Sequence, residues 1–530
     1  MTNFTTDEPF DRPPRHGYCY SMDNTTGAWP RGGIAAIIIL IFVGAALRVA
    51  VYAQDKSLFN DECSVAADIL ETPWSHLGNP MARGQAAPIG FLLAVKSSVA
   101  IFGNNELAFR LPALIWGLLL LIVAAILAIA YLHPWHGLLF MLLLAFSPDL
   151  IHYSAEVKQY SSDATISLLL IWLTIRAIRR ANVQSIWLMA VVSAVAMWFS
   201  HPGIFTGTAC GMALVWKYWR DRNQKLLNAT IAGCALAAFS FAIDYVFLAR
   251  SAENDRLLHQ FWAGWMRPKG FGAADLDWLN RCAMECSQEA LHCKSWPLFS
   301  LLLVAGLVVL VRKSNRLPPL IAGGVLVALG AAFFRMYPFV QRFLLFAIPA
   351  LAMLLTAGAD LKPPKIGRFA AWVVTAIVAW CLFPMLVAAR QLDYPYQIPT
   401  QFRDAMSHLS AKMRRGDPIY LVGWNGNLFD YYRTRFDLSA QDVERINIDV
   451  DHVGATARQI ARCGAPRFWV LISSFPKNNF ATESKLLAKL NRVDRSARCI
   501  YRWDGPDEHV ALYTGATERG NPGVRDARRG

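Results

Sequence analysis

Residues 33–53 read GIAAIIILIFVGAALRVAVYA, and this stretch decides the fold class. Arg48 is its only charged residue, and the run is long enough to cross the hydrocarbon core of a bilayer as a helix. No small-residue cleavage site follows it, so we interpret it as an anchor rather than a removable signal peptide. The chain is therefore predicted to enter a membrane with its first helix.

Ten further apolar runs follow the first, and together they predict eleven membrane spans. The composition agrees, because 55% of the 530 residues are hydrophobic and 17% are charged, whereas soluble proteins average about 25% charged residues. A single soluble globule, a disordered chain and a fibrous chain are thereby excluded. The further runs are 110–131, 135–148, 163–179, 185–200, 203–219, 228–248, 297–312, 318–334, 342–358 and 369–389.

Clusters of Lys and Arg predict the orientation of these spans. Four clusters follow the fourth, sixth, eighth and tenth spans, and the positive-inside rule places them in the cytoplasm. This count requires that the apolar run Ala87–Gly103 lies in the interface as an amphipathic helix and does not cross. The N-terminus is then inside and the C-terminus outside. The clusters are Arg176, Arg179 and Arg180; Lys217, Arg220, Arg222 and Lys225; Arg312, Lys313 and Arg316; and Lys362, Lys365 and Arg368.

The same orientation predicts the domain plan, a polytopic helical membrane domain followed by a small external α/β domain. After Tyr394 the composition becomes mixed in charge, and helical spacing of apolar residues alternates with short strand-like runs. The predicted elements there are helices at 402–413 and 482–491 and strands at 419–422, 468–472, 498–503 and 510–513. The predicted parts are a cytoplasmic segment 1–32, a transmembrane domain 33–390 with external loops 54–109 and 249–296, a soluble domain 391–516 and a disordered tail 517–530.

Polar side chains gather at the predicted external ends of the spans, where they are costly unless they are solvated or used. Asp61-Glu62 follows the first span, and the turn 147–163 holds more donors and acceptors than helix capping requires. Arg110 and Arg342 each open a span from the outside, against the charge rule, and their planar forks of donors suit phosphate. Together with Lys158 they predict a phosphate site at the membrane surface.

Five segments occur in an order typical of one family. Ser57–Glu62 is similar to an acidic motif in a first external loop, and Tyr153–Tyr160 is similar to a Tyr-Ser-x-Glu-x-Arg-x-Tyr turn, with Lys158 at the Arg position. The other three are Gln85–Leu93, where Ala86-Ala87-Pro88 departs from His-Pro-Pro; Phe102–Pro112; and Gln341–Phe343 with Pro349. Over about residues 33–360, the chain resembles the GT-C glycosyltransferases of glycosyltransferase family 39 type, which include protein O-mannosyltransferases and lipid A aminoarabinose transferases.

The resemblance implies transfer of a sugar from a polyprenyl-phosphate donor to an acceptor hydroxyl, on the external face of a bacterial inner membrane. Asp61 is then the general base of an inverting single displacement, and Glu62 orients Asp61 or the acceptor. Arg342, Arg110 and Lys158 hold the donor phosphate. The implied partners are the lipid donor, the bilayer and a glycan, lipid or protein acceptor. The implied pocket residues are Glu156, Gln159, Tyr160, Tyr337, Gln341, Lys96 and His201.

Alternative interpretations stay open at this point. A lipid or glycan transporter or flippase without transferase activity also needs many spans, but it predicts inverted repeats and mid-span charges, and the sequence shows neither. A catalytically dead scaffold is a further alternative. No cofactor is predicted; a divalent cation stays open, as does zinc on Cys282, Cys286, Cys293 and His292, whose spacing matches no common ligand pattern. The net charge of +14 does not predict nucleic-acid binding, because no basic stretch is interleaved with stacking aromatics.

Overall fold

The computed structural model describes residues 29–358 and 401–514 with internal gaps, and three further helical positions at 383, 387 and 389. Within this part of the chain, a bundle of apolar helices is followed by a small mixed sheet, so the predicted fold class is confirmed. The gaps are residues 80, 253–261, 271, 290–291, 294, 314–316, 415, 423–425, 439–442, 447–466, 474–497 and 505–507.

The described part of the chain has fourteen α-helices before the C-terminal domain, which we call the external domain because the sequence predicts that it lies outside. In chain order, α1 to α14 are Arg31–Tyr52, Asn60–Glu71, Ile89–Phe102, Glu106–Tyr131, Pro134–Ala145, Pro148–His152, Tyr160–Arg180, Val183–Ala196, Gly203–Arg220, Gln224–Ala252, Ala273–Met284, Trp296–Lys313, Leu317–Phe333 and Ile348–Gly358. Short 3₁₀ segments lie at Trp74–His76, Tyr153–Ala155, Ala263–Trp265 and Gln341–Ala347, and a π-helical segment lies at Glu285–Glu289.

Ten of the eleven predicted spans coincide with helices. Within the described residues, α1, α4, α7 and α10 are individually long and apolar enough to cross a membrane, and the bent pair α5–α6 makes a fifth if it is one span. The bend of 56° falls at Ser147-Pro148, where proline supplies no N–H to continue α5. The predicted span 342–358 starts as a 3₁₀ segment and becomes α-helical at Ile348. The eleventh run, 369–389, lies outside the described residues apart from three helical positions.

Helix α3, predicted to lie in the interface, packs outside the main bundle core. Its residues Phe91, Leu92 and Val95 are buried in a cluster shared with α2 and the external domain. Its first turn approaches the bundle at Gly90, whose N–H donates to the carbonyl of Trp198 at 2.8 Å. A Cβ at position 90 would lie 2.5 Å from that oxygen, so the close approach requires glycine.

The external domain is a five-stranded sheet with strand order β2-β1-β3-β5-β4. β1 is parallel to β2 and β3, while β5 is antiparallel to β3 and β4. Four strands and the helix Phe402–Lys412 match the prediction. The sequence pattern does not predict the helix Gly426–Arg435 or the strand Val443–Ile446, and the predicted helix 482–491 lies outside the described residues. The strands β1 to β5 are Ile419–Val422, Val443–Ile446, Arg467–Ser473, Arg498–Asp504 and Glu508–Thr514, and the helices α15 and α16 are Phe402–Lys412 and Gly426–Arg435.

Candidate active site

A cavity of about 370 Å³ lies where the loops at one end of the helices meet the bundle. Its wall combines the first turn of α2, the loop before α3, the turn before α7 and the segments around residues 262–266 and 336–343. One carboxylate and two cations from three distant parts of the chain line it together. The lining residues are Asp61, Gly84, Gln85, Ala86, Lys158, Gln159, Tyr160, Trp262, Met266, Met336, Pro338, Arg342 and Phe343.

Asp61 is the acid of this cavity and stands in the first turn of α2. Its Oδ2 accepts a hydrogen bond from Arg342 Nη1 at 3.0 Å and lies 3.8 Å from Lys158 Nζ. Burial raises the pKa of Asp61, but the positive charges of Lys158 and Arg342 outweigh it and hold that pKa below its ordinary value. Asp61 is therefore an ionised carboxylate between two cations.

Both cations are held by further contacts in the same wall. Lys158 Nζ donates to Gln85 Oε1 at 2.6 Å, and burial lowers its pKa while the Asp61 charge opposes that effect. The Arg342 guanidinium lies 4.7 Å from the ring centre of Trp262, a cation–π contact, and is 28% exposed. The two cations are thus placed so that one anion in the cavity can reach both.

Glu62 and Arg110 form a separate, closed cluster. Glu62 accepts hydrogen bonds from Arg110 Nε at 2.9 Å and Nη2 at 2.7 Å, and from the backbone N–H groups of Phe59 and Val157 at 2.9 Å each. Arg110 also donates to the carbonyls of Lys56 at 2.6 Å and Ser57 at 3.1 Å. Arg110 is therefore not among the residues that line the cavity, and its predicted role as a phosphate ligand has no support in this geometry. Of the two roles predicted for Glu62, these contacts fit the orientation of Asp61, because they brace the loop before α2.

The predicted pocket residues divide into two groups. Gln159 and Tyr160 line the cavity. Glu156 is buried nearby without lining it, with its Oε2 3.7 Å from His152 Nε2. Burial, together with the negative charge of Glu62, raises the pKa of Glu156 to about 8. Glu156 is therefore a largely protonated acid at neutral pH beside an ionised one.

The remaining pocket predictions fall away from the cavity. Tyr337 donates its hydroxyl to the carbonyl of Phe343 at 2.8 Å and so packs behind the lining. Lys96 donates to the carbonyl of Ile69 at 2.7 Å and to that of Thr72, which caps the end of α2. His201 Nε2 lies 2.9 Å from Asp244 Oδ2 on α10. The side chain of Gln341 lies outside the described residues.

Sequence reasoning missed several lining residues, above all Trp262, Met266 and Met336. Trp262 and Met266 lie in the connection between α10 and α11, and Met336 lies in the turn 335–341, from which Tyr337 and Gln341 were predicted. No spacing signal marks these three side chains. In the structure, exposed apolar side chains mark the side of the cavity at Met336. Met336 is 76% exposed to solvent, and its neighbour Phe334 is 74% exposed. An apolar rim of this kind is suited to a lipid surface.

The alternative zinc set is not assembled in the structure. Cys282, Cys286 and Cys293 are buried, and the Cys293 thiol donates to the carbonyl of Ser295 at 3.7 Å, whereas His292 Nε2 lies 3.4 Å from Asp149. Within the described ranges, no three His, Cys, Asp or Glu side chains are placed to hold a metal ion. The zinc interpretation therefore has no site in this part of the chain.

Comparison with known proteins gives a match to one family model and similarity to several solved structures. Residues 86–263 match the family model described as dolichyl-phosphate-mannose-protein mannosyltransferase. The chain is similar to ArnT from Cupriavidus metallidurans bound to undecaprenyl phosphate, at 13% identity and a TM-score of 0.51, covering 90% of this chain and 97% of that one. It is similar to the apo oligosaccharyltransferase of Archaeoglobus fulgidus, at 11% identity and a TM-score of 0.50, covering 90% and 74%. Among curated proteins, no sequence matches significantly.

These findings confirm the predicted resemblance and the GT-C membrane fold, and with them the glycosyltransferase class. The family match contains Lys158, Gln159 and Tyr160 of the cavity, while Asp61 and Arg342 lie outside it. The structural similarity extends over nearly the whole chain. Because the sequence identities are low, it shows a shared fold and nothing further.

Proposed function

We propose that the protein moves a sugar from a polyprenyl-phosphate-linked donor to an acceptor hydroxyl by an inverting single displacement. The observation that carries this proposal is the Asp61 carboxylate between Arg342 and Lys158 on the wall of one cavity. The family match and the fold shared with an undecaprenyl-phosphate-bound transferase support the same class of donor.

The donor phosphate binds where the two cations meet. Its oxygens accept hydrogen bonds from Arg342 and Lys158, the two side chains that contact the Asp61 carboxylate in the structure. As the sugar departs from the phosphate, negative charge grows on the phosphate oxygens, and two fixed cations in a sheltered wall stabilise that charge. Arg342 stacked on Trp262 is oriented before the donor arrives.

Asp61 becomes a stronger base through the same exchange of partners. The two cations hold its pKa low, and a phosphate that shares their charge removes part of that effect. The acceptor oxygen then attacks the anomeric carbon as the carbon–oxygen bond to phosphate breaks. The hydroxyl proton passes to Asp61, and the polyprenyl phosphate leaves with the electron pair. Attack opposite the leaving group inverts the anomeric centre.

The rest of the cavity fits the two ends of such a donor. Gln159, Tyr160 and Trp262 offer an amide, a hydroxyl and an aromatic face to a sugar ring. Met266 and Met336 line the side that joins the exposed apolar rim, which suits the polyprenyl chain. The acceptor is a glycan, a lipid or a protein that approaches from the external side.

The proposed location is a bacterial inner membrane with the cavity on the external face. The basic clusters at the opposite ends of the spans support this orientation. A reporter that is active only outside the cytoplasm should be active when fused after Gly515 and silent when fused at Arg180 or Arg316. The reverse pattern would place the cavity in the cytoplasm and contradict the proposal.

The function is tested by lipid analysis of a deletion strain. We expect one polyprenyl-phosphate sugar to accumulate, because its transfer stops, and that lipid identifies the donor. Reintroducing the intact gene, or the control variant Asp404→Asn at an exposed acid of the external domain, should abolish the accumulation of this lipid. Reintroducing Asp61→Asn should leave the lipid accumulated. Unchanged lipid-linked sugars in the deletion strain would contradict the proposed function.

A further inference from the structure

We infer that the external domain positions Asp61, with Arg403 and Tyr432 clamping the segment 55–58 that leads into α2. This inference rests on the proposed function, because it assigns the clamp to the base of that reaction. It also assigns the external domain a function in sugar transfer, because the domain holds the Asp61 carboxylate in position.

Arg403, on α15, holds the start of this segment. Its Nη1 donates to Asp55 Oδ2 at 3.0 Å, its Nη2 to the carbonyl of Asp55 at 2.9 Å, and its backbone N–H to Ser57 Oγ at 3.1 Å. Asp55 has a φ of +46°, in the left-handed region, which aspartate adopts more readily than most residues other than glycine. Arg403 holds this turn by three hydrogen bonds, two to Asp55 and one to Ser57.

Tyr432, on α16, holds the end of the segment. Its hydroxyl accepts a hydrogen bond from the N–H of Leu58 at 2.8 Å and donates to Glu106 Oε1 at 3.1 Å. Leu58 and Tyr432 are both fully buried, so this N–H has no access to solvent if the hydroxyl is removed. Leu58 precedes Asp61 by three residues, and α2 begins between them.

Glu106 ties both contacts to the membrane domain. This buried residue opens α4 and lies 2.6 Å from Arg435 Nη1 and 3.2 Å from Arg403 Nη1. Arg110 of the same helix donates to the carbonyls of Lys56 and Ser57. The segment is therefore bonded to an arginine of the membrane domain as well as to an arginine and a tyrosine of the external domain.

The neighbouring Tyr431 provides a matched control. It lies on the same helix, is equally buried, and also makes a hydrogen bond across the domain boundary. Its hydroxyl donates to Asn104 Oδ1 at 3.1 Å, in the loop before α4, and also contacts Arg435; neither residue belongs to the segment 55–58. Tyr431→Phe and Tyr432→Phe therefore each remove one buried interdomain hydroxyl, but only the second removes a contact to the segment before Asp61.

The test measures hydrogen exchange of residues 55–62 and transfer kinetics in the full-length protein. We expect Tyr432→Phe to speed exchange in this segment and to lower kcat about 10- to 100-fold, with the donor KM within about twofold. Tyr431→Phe should leave both close to the wild type. In an Asp61→Asn background, Tyr432→Phe should cause no further loss of turnover, because a positioning residue acts through the group that it positions.

Equal effects of the two Tyr variants, or a further loss in the Asp61→Asn background, would overturn the inference. If Tyr432→Phe does not fold, Arg403→Lys takes its place, since it keeps the charge but not the fork that holds Asp55. A wild-type protein that transfers no sugar would refute the proposed function. An active wild type in which Tyr432→Phe behaves like Tyr431→Phe would refute the clamp alone.

Discussion

Two acid–cation clusters lie one residue apart, and they differ in how completely their partners are fixed. Asp61 faces the cavity with 23% of its side chain exposed, bonded to Arg342 and 3.8 Å from Lys158. Glu62 is 2% exposed and receives two hydrogen bonds from Arg110 and two from backbone N–H groups. The residue types are nearly the same, but the first cluster is open to a ligand and the second is not.

The difference teaches that the closed cluster supports the open one. Arg110 binds the carbonyls of Lys56 and Ser57, and Glu62 binds the N–H of Phe59, so both hold the chain that ends at Asp61. An ion pair buried with all its hydrogen bonds in place is well suited to fixing a loop and poorly suited to releasing its partners. We therefore expect variants of the open cluster to change chemistry and variants of the closed cluster to change stability.

The largest expected effect is that of Asp61→Asn on turnover. The amide keeps the size of the carboxylate but does not accept a proton from the acceptor, and loss of a general base lowers rates by about 10²- to 10⁴-fold. Sugar transfer by the purified variant measures this, alongside its thermal unfolding, which should stay close to that of the wild type. Full activity in the variant would remove Asp61 from the mechanism.

Glu62→Gln should show the reverse pattern. Removal of one charge from a buried pair leaves Arg110 unpaired, and such losses lower the free energy of unfolding by about 3–5 kcal/mol. Denaturation in detergent measures the change, with Glu71→Gln as the control because that acid of the same helix is 64% exposed. A stable Glu62→Gln protein without activity would mean that Glu62 belongs to the chemistry.

A smaller effect is expected from Arg342→Lys on binding of the lipid donor. Lysine keeps the charge but loses the planar fork and the stacking on Trp262, so donor affinity should fall by about 1–3 kcal/mol, the range for a lost hydrogen bond to a charged group. Binding of polyprenyl phosphate, compared with the free sugar, measures this. Arg335→Lys is the control, because Arg335 donates to the carbonyl of Arg267 and does not line the cavity. An unchanged affinity in Arg342→Lys would mean that a point charge suffices.

The sequence predicts the open cluster better than the closed one. The sequence marks Asp61, Lys158 and Arg342 because each lies near a span end that is predicted to be external, and the bundle joins Asp61 to Arg342 across 281 positions of the chain. Arg110 carries the same local signal as Arg342, since each opens an apolar run beside a phenylalanine. What separates the two arginines is the path of the loop 56–57 beside Arg110, a tertiary contact that hydrophobic periodicity does not encode.

The external domain shows the same limit. Its apolar strands and its first helix follow from pattern, while α16, which carries Tyr431 and Tyr432, was not predicted. The aromatic residues of α16 face α2 and α4 across a domain boundary. A helix whose apolar face is buried against another domain is recognised only when that domain is in place.

The smallest effect on donor binding is expected from pH, through Glu156, a buried acid near both clusters. Burial and the charge of Glu62 raise the pKa of Glu156 to about 8. The pKa of a glutamate in an unfolded chain is about 4.3. The unfolded chain therefore releases this proton first, and the contribution of Glu156 to stability falls as pH rises from about 4.3 to 8 and is constant above.

Ionisation of Glu156 also acts on the open cluster. The new negative charge lies near Lys158 and Arg342, so it competes with the donor phosphate for them, and donor affinity should fall a few-fold between pH 7 and 9. Glu156→Gln cannot ionise and should flatten this fall. Donor binding measured across that range in both proteins decides the point. A decline that persists in Glu156→Gln would belong to Lys158, whose pKa is lowered by burial, and would leave Glu156 without a part in donor binding.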